Sequence, residues 1–181
     1  MSEVYLLDTN IISALGDPAN AGREAAAERL REVGEQFVVL PTMAVAEIEF
    51  GMAKAPDIQP AKRKELREFI ACFAQLPFDR HCITPYALVR AEIWRTHATR
   101  KSNKTHLHRE RRPEDLIDKV TGAELGIDEP DLLIASVAMA HNFILVTNDQ
   151  NAGMEQVKQA ADAVACQGAF PTPLRTENWL R

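Results

Sequence analysis

Cysteine is scarce in this sequence, and long apolar runs are missing. Cys72, Cys82 and Cys166 are the three cysteines among 181 residues; their number is odd, their spacings are wide and no CxxC pair occurs. This excludes a disulfide framework, speaks for reduced thiols in a cytoplasmic setting, and argues against a structural zinc site. No stretch approaches the roughly 18 apolar residues that span a bilayer. The N-terminus lacks a basic segment followed by an apolar one, so no membrane anchor or secretory signal is expected. Repeats and low-complexity segments are absent too. What remains is 46% hydrophobic and 26% charged, ordinary for a globular chain. Its length suits one domain with a core that needs no staples.

The net charge is −5, which by itself speaks against a nucleic-acid partner, but the charge is unevenly spread. Arg95, Arg100, Lys101, Lys104, Arg109, Arg111 and Arg112 face the single acid Glu110, so this window carries +6 and the remainder −11. A basic segment on an acidic body suits contact with phosphates, and such binding would weaken steeply with salt. A solvated loop is the plainer alternative.

The apolar pattern alternates between strands and helices. Tyr5-Leu6-Leu7 runs into Asp8 as a buried strand would, with a helix opening beyond it. A helix capped by Asn20 runs through Glu24, Ala27, Leu30 and Val33 to Gly34; Phe37 to Leu40 forms a second strand, and Thr42 caps a helix through Met52. Pro60 opens a longer helix, Gln75 to Phe78 is a short strand, and Thr84-Pro85 starts a helix carrying Leu88, Val89, Ile93 and Trp94, with Trp94 in the core. Asp128 caps the apolar helix through Ala140, a strand Phe143 to Val146 follows, then a helix from Met154 to Ala165 and an edge strand within Leu174 to Leu180. This order predicts an α/β fold, a central, mostly parallel sheet of 4–5 strands flanked by helices on both faces. The segment at about 96–126 reads as an insertion or lid on a single domain 1–181, with a short acidic helix between Pro113 and Leu125.

Four carboxylates hold unusual positions. Asp8 and Asp149 directly follow buried strands, where ligands of open α/β sheets bind. Asp131 stands in the first turn of a nearly all-apolar helix, where the helix N-terminus favours its ionised form. Glu47 lies among apolar neighbours in Ala44-Val45-Ala46-Glu47-Ile48, with Glu49 as its rival. Asp8 taken alone reads equally well as a helix N-cap. Two carboxylates about 4 Å apart repel by roughly 4 kcal/mol at an effective dielectric of 20, so several in one cleft point to a divalent cation. All-oxygen donors favour Mg²⁺ or Mn²⁺, and such an ion activates water against a phosphodiester. His106 and His108 have no further His or Cys nearby and make a poor metal pair; His81, His97 and His141 read as surface or helix-end residues.

Leu7-Asp8-Thr9-Asn10, Ala46-Glu47-Ile48-Glu49-Phe50-Gly51, Asp131-Leu132-Leu133-Ile134-Ala135 and Val146-Thr147-Asn148-Asp149 resemble, in order and spacing, the motifs of PIN domains, most closely those of VapC-type toxins. Glu177-Asn178-Trp179 is similar to the last strand of that family. The resemblance implies a metal-dependent ribonuclease whose acids are Asp8, Glu47, Asp131 and Asp149, with Asn10 and Thr147 orienting them. It also implies a small cognate antitoxin that blocks the site, and a homodimer. The segment 96–126 is longer than small members of the family carry there.

An endoribonuclease acting on exposed RNA, tRNA among the targets, is therefore the first expectation. A non-catalytic RNA- or protein-binding module of the same architecture is the second. A phosphatase using Asp8 as nucleophile is the third, disfavoured because position 10 is Asn where such enzymes resemble Asp-x-Asp.

Overall fold

The computed structural model describes residues 3–55, 58–98, 112–118, 120–149 and 152–181. Five strands form one all-parallel sheet in the order β3-β2-β1-β4-β5. They are β1 (Tyr5–Leu7), β2 (Val38–Pro41), β3 (Ala74–Leu76), β4 (Ile144–Val146) and β5 (Arg175–Glu177). Every residue of β1 and β4 is buried although side chains alternate between faces, so both faces of the central strands are covered. The cover consists of α1 (Thr9–Gly16), α2 (Arg23–Val33), α3 (Thr42–Lys54), α4 (Pro60–Ala71), α5 (Ile83–His97), α6 (Glu129–His141) and α7 (Ala152–Cys166). Helix α1 packs on α2, α3 and α4, while α5 packs on α6 and α7.

The chain builds outward from β1 through β2 to β3, then returns to the other side of β1 with β4. That reversal makes a switch point between β1 and β4, where the carboxyl ends of the strands leave a crevice. Tyr5, Leu6 and Leu7 register with Ile144, Leu145 and Val146, which brings Asp8 and Thr147 to the same edge of the crevice.

Local structure departs from the sequence reading at several points. No acidic helix forms between Pro113 and Leu125: a single 3-10 turn at Pro113–Asp115 is followed by an antiparallel bridge between Ile117 and Glu124. Gly122 takes a φ of 72°, which a helix excludes, and Leu116 and Leu125 reach the core. Helix α3 begins at Thr42 itself without a side-chain cap, and α5 begins at Ile83, ahead of Thr84-Pro85. Asn20 accepts from the Gly22 amide in the turn before α2 rather than capping the helix. Trp94 is 37% exposed instead of lying in the core, whereas His97 is buried and bonded to Gln156 of α7. Asp128 occupies the N-cap position of α6 without a side-chain bond; Glu114 supplies the carboxylate instead, accepting from the Glu129 amide at 3.1 Å.

One backbone approach fixes where α7 begins. A Cβ at Gly153 would stand 1.9 Å from the carbonyl oxygen of Gly126, a backbone atom with no means of yielding. At Gly51, on α3, an added Cβ meets nothing within 4 Å. Gly153→Ala is expected to destabilise the protein by about 1–3 kcal/mol, whereas Gly51→Ala is neutral or gains up to about 1 kcal/mol of helix propensity. Urea unfolding of the two variants checks the contrast, and equal effects would contradict the close approach.

Candidate active site

The crevice is closed by a small network of uncharged groups around one carboxylate. Asp8 is 4% exposed. Its Oδ1 accepts from the Thr9 amide at 2.7 Å, so it caps α1. Its Oδ2 accepts from the Thr147 hydroxyl at 2.7 Å and from Asn10 Nδ2 at 2.7 Å. Asn10 Nδ2 also reaches Thr147 Oγ1 at 3.2 Å, and Asn10 Oδ1 accepts from the Asn148 amide at 3.0 Å. Thr147 Oγ1 in turn accepts from the Asp149 amide at 2.9 Å. Asp8 is thus the helix cap that the sequence allows, with one oxygen starting α1 and the other anchoring β4 to β1.

Glu47 joins from α3 through the Thr9 hydroxyl, which donates to its carboxylate. Its rival Glu49 leaves the site and forms a two-point pair with Arg67 of α4, at 2.8 and 2.6 Å. Asp131 enters from the first turn of α6 and Asp149 from the end of β4.

These charges act on one another. Burial pushes the Asp8 carboxyl up, the bonds from Thr147 and Thr9 oppose this, and Glu47 and Asp149 add to the rise. Asp131 is pushed up to about 7, by burial first and then by Asp8, Asp149, Asp128 and Glu47. The helix N-terminus, which the sequence reading credits with holding Asp131 ionised, is outweighed here. The four oxygens are not in contact as a group. Among the described residues, the three His, Cys, Asp or Glu side chains whose ligand atoms all lie within 4.8 Å of one another are Asp79, Cys82 and His141, elsewhere on the molecule. Buried first and opposed by like charge second, Asp131 belongs with the other acids to an all-oxygen set with unbalanced negative charge, which fits a hard divalent cation.

Beside Asp149 opens a cleft of about 400 Å³ lined in part by Thr147, Lys158, Asn178 and Arg181. Lys158 and Arg181 were not singled out from the sequence, because a lysine on the polar side of an amphipathic helix and a terminal arginine carry no local signal. Of the basic segment, Arg100, Lys101, Lys104, Arg109 and Arg111 lie outside the described residues, as do His106 and His108; Arg112 is exposed.

The PIN domain family model matches residues 5–159. No curated protein matches the sequence. Among solved structures, the fold is similar to that of VapBC2 from Rickettsia felis bound to a DNA fragment from its promoter, with 22% identity and a TM-score of 0.59 over 97% of this chain and 98% of that one. It is also similar to FitAB bound to a DNA fragment, at 21% identity and a TM-score of 0.62 over 98% of this chain and 96% of that one. DNA-bound VapBC from Salmonella typhimurium gives 18% identity and a TM-score of 0.56, with 98% of both chains covered.

The raised Asp131 makes stability depend on pH in a definite direction. Its folded value, about 7, lies above its ordinary 3.8, so the native state holds the proton more tightly than the unfolded chain. The stability so contributed is complete below about pH 4 and is lost as pH rises through about 7. In chelator, Asp131→Asn is expected to melt higher than the wild type at pH 8, with the gap closing toward pH 4. Millimolar Mg²⁺ is expected to raise the wild-type melting temperature at pH 8 more than that of the variant. A gap independent of pH and of Mg²⁺ would contradict like-charge crowding.

Proposed function

Because the chain belongs to the PIN domain family, we propose that it is a Mg²⁺- or Mn²⁺-dependent endoribonuclease and the toxin of a toxin–antitoxin pair. What supports this reading is that Asp8, Glu47, Asp131 and Asp149 act on one another's charge beside the switch point of the sheet: burial raises Asp131 to about 7, and Asp8, Asp149 and Glu47 add to the rise. Asp8, Glu47, Asp131 and Asp149 are the residues that would hold the metal. Asn10 and Thr147 occupy Asp8 Oδ2 and so fix the direction of the one lone pair left on Oδ1, and Thr9 orients Glu47.

When bound, a divalent cation supplies an activated water and neutralises charge developing on the phosphodiester. This chain's own groups do the rest. Burial of Asp8 keeps bulk water from its inner oxygen, and the rigid hydroxyl–amide network leaves it one orientation. One of the four carboxylates would also accept the proton from that water. Lys158 and Arg181, lining the cleft beside Asp149, suit the phosphates that flank a scissile bond. Arg100, Lys101, Lys104, Arg109 and Arg111, which lie outside the described residues, and the exposed Arg112 are further candidates for phosphate contact by their charge alone, and the segment 96–126 is read as an insertion within one domain. An open acidic crevice admits single-stranded RNA or loops, tRNA among them, more readily than a duplex.

Antitoxin and homodimer belong to the same reading. Large apolar side chains that such partners would cover are exposed at Phe50, Ile83, Trp94, Ile117 and Val120. A toxin of this kind acts in the cytoplasm; among the described residues no helix is long and apolar enough to cross a membrane.

Purified protein incubated with RNA is expected to cleave it in Mg²⁺ or Mn²⁺ and to leave it intact in chelator. Thr147→Val and Asn10→Ala should lower metal affinity or activity by about 10–100-fold, and Asp8→Asn or Asp131→Asn by more, with folding verified by circular dichroism. RNA that is bound but never cut would favour the non-catalytic module instead. Phosphate release from a small monoester with RNA intact would favour the phosphatase.

A further inference from the structure

A second cluster of metal-binding side chains lies away from the acidic crevice, where the start of α5 meets the end of α6. Cys82, fully buried, occupies the N-cap position just before α5, and its thiol donates to Asp79 Oδ1 at 3.4 Å. Asp79 Oδ2 lies 3.9 Å from Nε2 of His141, the last residue of α6. All three ligand atoms fall within 4.8 Å of one another. In a tetrahedral zinc shell, bond lengths of about 2.0–2.3 Å set neighbouring ligand atoms roughly 3.3–3.5 Å apart. The cluster is therefore near closure without a rearrangement of backbone.

Two observations separate it from an ordinary polar contact. His141 Nε2 is buried and has no hydrogen-bond partner, an unusual state for an interior nitrogen. The ring is also held in place: it stacks on Phe143 with centroids 5.4 Å apart and planes 27° apart. The exposed ring of His81 lies 6.3 Å away between centroids, at 69° to the His141 ring.

We propose that Asp79, Cys82 and His141 form a structural site for Zn²⁺ or a similar thiophilic divalent cation, clamping the N-terminus of α5 to the C-terminus of α6. The donor set of sulfur, imidazole nitrogen and carboxylate oxygen suits zinc and differs from the all-oxygen crevice. Ten residues of α6 separate His141 from Asp131, about 15 Å of helix, so the two sites are independent. On binding, the Cys82 S–H bond breaks, the sulfur–metal bond forms and the proton goes to water. Asp79 is ready for this role: burial raises its carboxyl, but the His81 amide, the Cys82 thiol and the His81 and His141 rings outweigh that and hold it below the usual range. Burial pushes the Cys82 thiol up to about 11, so without a cation it stays protonated. The site assigns a use to a cysteine whose spacing in sequence gives no metal signal.

The test uses the untagged full chain with Cys72 and Cys166, both exposed, changed to Ser. Titration with Co²⁺ is expected to give a thiolate-to-metal charge-transfer band and the intense visible bands of a tetrahedral centre. Zn²⁺ should bleach them and raise the melting temperature by roughly 5–10 °C at about 100 times Kd. Cys82→Ala and His141→Asn should each abolish the charge-transfer band. Asp8→Asn/Asp131→Asn should keep it, since the crevice contains no sulfur. No band in the parent protein, or a band that survives Cys82→Ala with circular dichroism unchanged, would overturn the proposal.

Discussion

The hydrogen bonds that converge on the inner oxygen of Asp8 are the constraint on which the site rests. A buried carboxylate is tolerable only if its lone pairs are occupied, and here a hydroxyl from the end of β4 and an amide from the first turn of α1 occupy them. The same bonds tie together two strands that meet in space but stand 137 residues or more apart in sequence. Strand register, helix start and carboxylate direction are thus one decision. Three-residue strands would give little pairing energy alone, and the side-chain network at their ends compensates for that brevity.

Against this order works a repulsion the fold does not relieve by itself. Asp131 is drawn into the cluster by the apolar body of α6, seven of whose thirteen residues are buried. Hydrophobic burial thereby holds a carboxylate where its neighbours oppose its charge. Such stored electrostatic tension is common where a cation belongs. Thr9, Asn10 and Thr147 donate or accept without adding charge, which leaves the negative potential of the crevice undiminished.

Much of this was legible in the sequence because the informative residues are local. An apolar triplet followed by Asp, Thr and Asn states both the strand and its terminal carboxylate, and the alternation of strands with helices states the parallel sheet. Less was legible where partners are distant. Trp94 obeys the helical apolar period, yet α5 turns that face partly outward. His97 looks like a polar residue at a helix end, and only α7 buries it. Between Pro113 and Leu125 the spacing of Leu116, Ile117 and Val120 suggested a helix, but Gly122 at positive φ and the pairing of Ile117 with Glu124 make a bridge. The choice of Glu47 over Glu49 was readable from apolar neighbours; that Arg67 of α4 occupies Glu49 was not. Nothing in the spacing of Asp79, Cys82 and His141 announces that they meet.

Glu114 carries one last implication. Its carboxylate, offered from a 3-10 turn well outside α6, satisfies the amide two residues ahead of Asp131. The linker into α6 is consequently tied down from residue 114 onward. A length change between Glu114 and Glu129 would slide the borrowed cap off its amide. Relatives that borrow the same carboxylate should accordingly keep the spacing between these two positions fixed.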